Sequence, residues 1–189
     1  MTRKSSASGN RPRRRNFKLL ILAVAGIAIL ALGAVSAVTF SSLPAQQSAK
    51  FGGLGSAHDH AAFVVKIDGT YLDFSQDQYQ VKSPFIHVEN RNGTTLHKHA
   101  LHVPFGEFLH SINMNVQNGC FVMDDGKQYC QEGDKSLRFF LNGAEQPASF
   151  IMNYVLEDND RFLVLYGNET AEEIQQELQR LATISIFRT

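Results

Sequence analysis

Leu19 to Phe40 reads LLILAVAGIAILALGAVSAVTF, 22 residues without a charge, and no other stretch restricts the fold of the chain so severely. At about 1.5 Å per residue, a helix of this length matches the roughly 30 Å hydrocarbon layer of a bilayer. The sequence therefore predicts a transmembrane helix over residues 19–40. As a core element it would be odd, since it is apolar all round, uncapped and adjoins an arginine cluster. Residues 1–18 carry Arg3, Lys4, Arg11, Arg13, Arg14, Arg15 and Lys18 and no acid. A basic flank on this side alone predicts a cytoplasmic N-terminal tail, a single-pass anchor in the cell membrane and an external C-terminal domain. Val35-Ser36-Ala37 has the small residues a signal peptidase accepts. The apolar run exceeds the ~7–15 residues of a signal core, so a retained anchor is the preferred reading; with either, the domain leaves the cytoplasm.

The formal net charge of zero hides two unlike parts. Of 18 basic residues seven lie in the tail, so 11 face all 18 acids in the remainder, a net of −7. That balance argues against nucleic acid as a partner of the folded part. Membrane lipid is the simpler partner for the tail, because the inner leaflet is anionic. Gly33 and Ala37 leave room for the anchor to pack against a membrane-protein partner. Residues 41–56, SSLPAQQSAKFGGLGS, are small, polar and glycine-rich and read as a flexible tether. Residues 57–189 then form the external domain, and the 14 Phe of the chain supply ample material for its core.

The domain reads as α+β with a largely antiparallel sheet and two short helices. Asp68-Gly69 between β-branched and aromatic residues marks a hairpin over residues 61–73. Residues 85–90 and 94–100 flank Arg91-Asn92-Gly93 as a second hairpin, and residues 137–141 before Asn142-Gly143 begin a third. The continuous apolar run FLVLY at 162–166 predicts a buried strand. LNG through DNDRFLVLYG resembles the close of a β-grasp fold. Helices are expected over 105–114, after Pro104, and over 171–182, where Thr170 and Glu173 form a capping box. Ile174, Leu178 and Leu181 make one stripe on the second helix, for packing on the sheet.

Cys120 and Cys130 bracket CFVMDDGKQYC. A three-residue loop Asp124-Asp125-Gly126, with glycine in the left-handed position, places the two cysteines opposite each other, and an external compartment lets a disulfide persist. Thiol oxidoreductases generally use C-x-x-C; nine residues separate this pair, which points to a structural staple.

All seven histidines fall between positions 58 and 110. His58 and His60 form one H-x-H pair, His97 and His99 another, and the two-residue period of a strand puts both rings of a pair on one face. Two such strands can converge on one metal ion, since neutral imidazole suits copper and zinc. His87 joins them if residues 91–93 form a three-residue loop with Gly93 left-handed, because His87 then stands opposite His97. A two-residue Asn92-Gly93 turn would send it to the other face. Asp59 and Lys98 point away in this scheme. His102, beside Pro104, and His110, near a helix end, are weaker candidates with ordinary loop and dipole roles.

HDHAAFVVKIDGTYLDFSQDQYQ, FIHVENRNGTTLHKHA and DRFLVLYG together resemble a group of membrane-anchored, His-rich prokaryotic proteins, largely archaeal. Some of these are described as protein-disulfide isomerases. The resemblance implies an external domain and the H-x-H blocks. This chain has neither C-x-x-C nor the βαβ pattern of a thioredoxin domain. The expected function is a membrane-anchored, extracytoplasmic metal-binding domain with a copper or zinc ion at His58, His60, His87, His97 and His99, copper being preferred. The alternatives are a zinc enzyme with Glu89 or Glu107 as general base, and the thiol-disulfide oxidoreductase implied by the resemblance.

Overall fold

The computed structural model describes residues 50–188. The expected transmembrane segment 19–40, the basic tail and the first part of the tether lie outside these residues. Among the described residues no helix is long and apolar enough to cross a membrane.

Three hairpin turns organise the main sheet. β1 (Asp59–Ile67) turns into β2 (Thr70–Tyr71) through Asp68 and Gly69, both at positive φ. β8 (Ser136–Leu141) turns into β9 (Ala144–Gln146) through Asn142 and Gly143 in the same way. This is the conformation that suits strand twist and that Asp-Gly and Asn-Gly adopt at low cost. β3 (Ile86–His87) pairs antiparallel with β4 (Thr95–Lys98), His87 opposite His97. The expected register is right and its expected cause is wrong. Asn90 and Arg91 take the left-handed conformation, and Gly93 does not. Gly93 is needed for close approach instead, because a Cβ there would stand 2.5 Å from the Ser75 nitrogen and 2.9 Å from the Phe74 carbonyl carbon.

With β10 (Arg161–Gly167), the strands assemble in the order β3-β4-β1-β10-β8-β9, with β2 on the C-terminal half of β1. β10 is the buried FLVLY strand and runs parallel to β1; the other pairings in this sheet are antiparallel. The β1–β10 pair is thus a central parallel pair between two hairpins, β1–β2 and β8–β9. β4 and β3 extend the edge beside the N-terminal half of β1.

Among the described residues three helices are present where two were expected in the domain. α1 (Phe105–Ser111) ends earlier than residue 114 because Asn113 is left-handed. The additional helix, α2 (Ala148–Asn153), explains Gly106, where a Cβ would meet the Met152 carbonyl oxygen at 2.5 Å. α3 (Ala171–Thr183) has the complete Thr170–Glu173 capping box. One sheet face, with Ala61, Phe63, Val65 and Leu96, packs on Phe105, Phe108 and Leu109 of α1. The other face, with Ala62, Val64 and Leu163, packs on Ile174, Leu178 and Leu181 of α3 and on Ile184 and Ile186 beyond it.

A smaller sheet joins β5 (Asn115–Gln117), β6 (Cys120–Val122) and β7 (Gln128–Cys130). Cys120 is directly opposite Cys130 and bonded to it, with Gly126 left-handed in the connecting loop. The Tyr166 hydroxyl donates to the Cys130 carbonyl at 2.9 Å, tying this sheet to β10.

The tether does not reach Ser56. Phe51 is buried against the Phe85 ring at 5.3 Å, and the Gly52 and Gly55 amides donate to the Leu101 and His99 carbonyls. One aromatic side chain in a glycine-rich run is enough to dock it.

Candidate functional site

Three of the five histidines lie on adjacent strands, His87 on β3, His97 on β4 and His60 on β1, and His58 and His99 directly flank β1 and β4. His60 is opposite His97, and His97 is opposite His87. One step further along, His58 and His99 follow with the same parity, on the face that carries α3 further down the sheet. Their rings form a closed circuit: His97 to His60 4.8 Å between centres, His60 to His58 4.8 Å, His58 to His99 5.1 Å, His99 to His87 5.0 Å, and His87 to His97 6.2 Å. Two imidazoles sharing an ion at ~2.0 Å have ring centres about 4.5–5.3 Å apart for bond angles of about 90–110°. Four of the five separations fall in that range. The nitrogens themselves are not gathered to match: among the described residues no group of three or more His, Cys, Asp or Glu side chains is arranged to hold a metal ion as it stands.

Burial is graded across the circuit. His97 is fully buried, His60 and His87 nearly so, His99 is half-buried and His58 is exposed. The cluster is thus open to solvent at the His58 end. Desolvation, opposed by Glu89 and reinforced by the neighbouring histidines, pushes the pKa of His97 down to about 4. His60 and His99 are also lowered, first by desolvation and then by other members of the cluster. These rings are neutral near pH 7, the state in which imidazole offers a lone pair. His60 Nε2 and both ring nitrogens of His97 are buried without a hydrogen-bond partner. Such orphans are rare in folded proteins and cost about 1–3 kcal/mol each. Each neutral ring offers a single lone pair, so an ion bound there would relieve His60 Nε2 and one of the two His97 nitrogens.

The surroundings hold the rings in place. His87 Nδ1 lies 2.7 Å from the Ser83 carbonyl oxygen, and its Nε2 lies 3.2 Å from Glu89 Oε2. The His60 amide donates to Asp158 Oδ1 at 3.0 Å. Asp158 is in turn bridged by both guanidinium nitrogens of Arg188, one of which is 3.4 Å from His60 Nδ1. Burial works against the Asp158 carboxylate, but the Arg188 and His60 hydrogen bonds outweigh it and hold its pKa below the ordinary value. The C-terminal residues reach this position because the Phe187 amide donates to Thr95 Oγ1 on β4.

Asp59 and Lys98 pair with each other at 2.8 Å on the opposite face, as their parity requires. Glu107, one of two candidate bases, is engaged by Lys50 at 2.8 Å; Glu89, the other, is at the cluster. His102 is exposed and left-handed, and exposed His110 contacts Asn115 at 2.9 Å; neither shares the ring circuit. Ser83, Asp158 and Arg188 have no signature in the sequence. Asp158 lies in a turn and Arg188 follows the last helix, and only the folded sheet edge brings them to His60. An open cleft of about 370 Å³ beside Lys66, Lys135 and Glu169 is a separate feature. Its lysines are already paired with Glu177 and Asp68.

Comparison with protein-family models, with curated proteins and with solved structures gives no significant match.

Proposed function

We propose that this chain is a membrane-anchored, extracytoplasmic metal-binding protein that holds a copper ion, or else zinc, at His58, His60, His87, His97 and His99. The observation that carries the reading is the closed circuit of five imidazoles, three of whose ring nitrogens are buried without a hydrogen-bond partner. A protein under selection for stability alone would place apolar side chains at such positions. Neutral imidazoles with no thiolate among them suit Cu(II) in an oxidising space, and zinc next. The anchor over residues 19–40 and the basic flank before it support attachment to the cell membrane with the domain outside. A cross-strand disulfide accords with that placement.

Opposed cysteines on neighbouring strands of a tight hairpin suit a staple better than a redox pair, which weakens the oxidoreductase reading implied by the resemblance. Storage, delivery or scavenging of the ion is the role such a site serves.

The test uses the full-length chain in detergent, purified without a histidine tag. Metal analysis and isothermal titration are expected to give stoichiometric Cu(II) or Zn(II) uptake, abolished by His97→Ala combined with His99→Ala. Absence of uptake at micromolar metal removes the reading.

A further inference from the structure

Asn92-Gly93-Thr94 and Asn168-Glu169-Thr170 both have the N-x-Thr form that an oligosaccharyltransferase accepts outside the cytoplasm. Such triplets also arise by chance, and the enzyme requires more than the sequence. The asparagine amide must be reachable, and the three residues must be able to lie extended across the surface of a second protein. The fold separates the two triplets on both counts.

In the first, Asn92 Oδ1 accepts from the Thr94 amide at 2.9 Å, the Thr94 hydroxyl at 3.1 Å and the Thr95 amide at 3.0 Å. The hydroxyl that the enzyme reads is turned back on the asparagine it should serve. Gly93 lies so close to the backbone of Phe74 and Ser75 that a methyl group would not fit. All three residues are half-buried, and freeing them disturbs the start of β4. The second triplet forms the connection from β10 to α3, and residues 168–170 belong to neither helix nor strand. Asn168 and Thr170 are exposed. Asn168 Nδ2 donates to exposed Asp134 at 3.2 Å, a contact that water replaces at little cost. Thr170 is already extended, with φ −67° and ψ 163°. Its hydroxyl caps α3 through Glu173, and fraying of that first turn releases it. Asn168 also lines the open cleft together with Asp68 and Glu173, whose carboxylates suit sugar hydroxyls.

Resting on the extracytoplasmic placement proposed above, we infer that Asn168 carries an N-linked glycan and that Asn92 does not. In the transfer, Asn168 Nδ2 attacks the anomeric carbon of a lipid-phosphate-linked oligosaccharide. The C–N bond forms as the C–O bond to the phosphate breaks; the lipid phosphate leaves with that electron pair, and the amide proton passes to a base. The position keeps the histidine cluster clear. The Asn159 amide donates to the His60 carbonyl just before β10 begins, whereas Asn168 follows the last residue of that strand. Seven residues of strand at about 3.3 Å each put roughly 23 Å between its two ends.

The experiment isolates the full chain from the membranes of the cells that make it and reads its tryptic peptides by mass spectrometry. Cleavage after Arg91, Lys98, Arg161 and Arg180 puts Asn92 in peptide 92–98 and Asn168 in peptide 162–180. Peptide 162–180 is expected to carry the added mass of an oligosaccharide and to release sugar fragment ions, and peptide 92–98 to keep its unmodified mass. Thr170→Ser, which keeps the hydroxyl, should retain the sugar, and Asn168→Gln should lose it. An unmodified peptide 162–180 overturns the inference, and so does sugar on Asn92. Protease added to intact cells separates the two readings: a domain that is digested while Asn168 is bare refutes the glycan alone, and a domain that is protected refutes the placement on which it rests.

Discussion

Replacing His97 by leucine should make the metal-free protein more stable while destroying its site. His97 is fully buried, and neither ring nitrogen has a hydrogen-bond partner. An apolar side chain of similar size removes that desolvation cost, for a gain of about 1–2 kcal/mol near pH 7.5. A second contribution comes from protons. The His97 pKa is about 4 in the folded chain against 6.5 for the free side chain. Between those values the unfolded chain binds a proton that the folded chain does not, so wild-type stability falls as pH falls through this window. From about pH 7.5 to pH 5, above the range where most carboxylates titrate, the loss amounts to about 2 kcal/mol. With a urea m-value of about 2 kcal/mol/M, the wild-type midpoint drops by about 1 M over that interval. His97→Leu lacks this contribution, so its advantage widens toward acid. The assay is urea unfolding of metal-stripped protein at a series of pH values. A leucine variant at least ~1 kcal/mol less stable than wild type at pH 7.5, with a gap that does not widen at pH 5, would refute the claim that His97 is retained at the expense of the fold.

Two further outcomes follow from the framework around the site. Converting Cys120 and Cys130 together to serine is expected to lower stability by about 2–3 kcal/mol, as loop closure over this short ring implies, with metal stoichiometry unchanged; loss of uptake in the folded double variant would couple the staple to the site. Gly93→Ala brings a methyl group against the backbone of Phe74 and Ser75, so thermal unfolding should show a loss of about 1–3 kcal/mol, and an unchanged midpoint would mean that the 88–94 loop yields freely.

The parts of the fold that could be read from sequence are those set by short-range chemistry. Asp68-Gly69 and Asn142-Gly143 each provide consecutive positive-φ residues, and few other dipeptides do so at comparable cost. The apolar run of β10 and the Thr170 capping box are equally local. α2 was not legible because six residues after Pro147 carry too little periodicity to stand out. The β3–β4 register was reached through a three-residue loop with Gly93 left-handed that the chain does not form; the left-handed residues are Asn90 and Arg91. At the site, the two-residue period identified which rings share a face. The antiparallel neighbour relation of β1 and β4, which brings His58 and His60 to His97 and His99, is a long-range pairing that no local pattern encodes. Arg188 reaches His60 only through the path of the C-terminal residues over β4, a matter of tertiary packing.

The alternation along β4 also limits how this site can change by descent. Lys98, between two of the imidazoles, turns its ammonium to Asp59 and the Leu156 carbonyl on the reverse face. Insertion or deletion of a single codon within 95–98 would invert the strand, deliver that ammonium among the rings and strand the histidines against the apolar core. Length variation between related genes is accordingly expected in the 88–94 connection, where the chain can absorb it, and to be purged from β4.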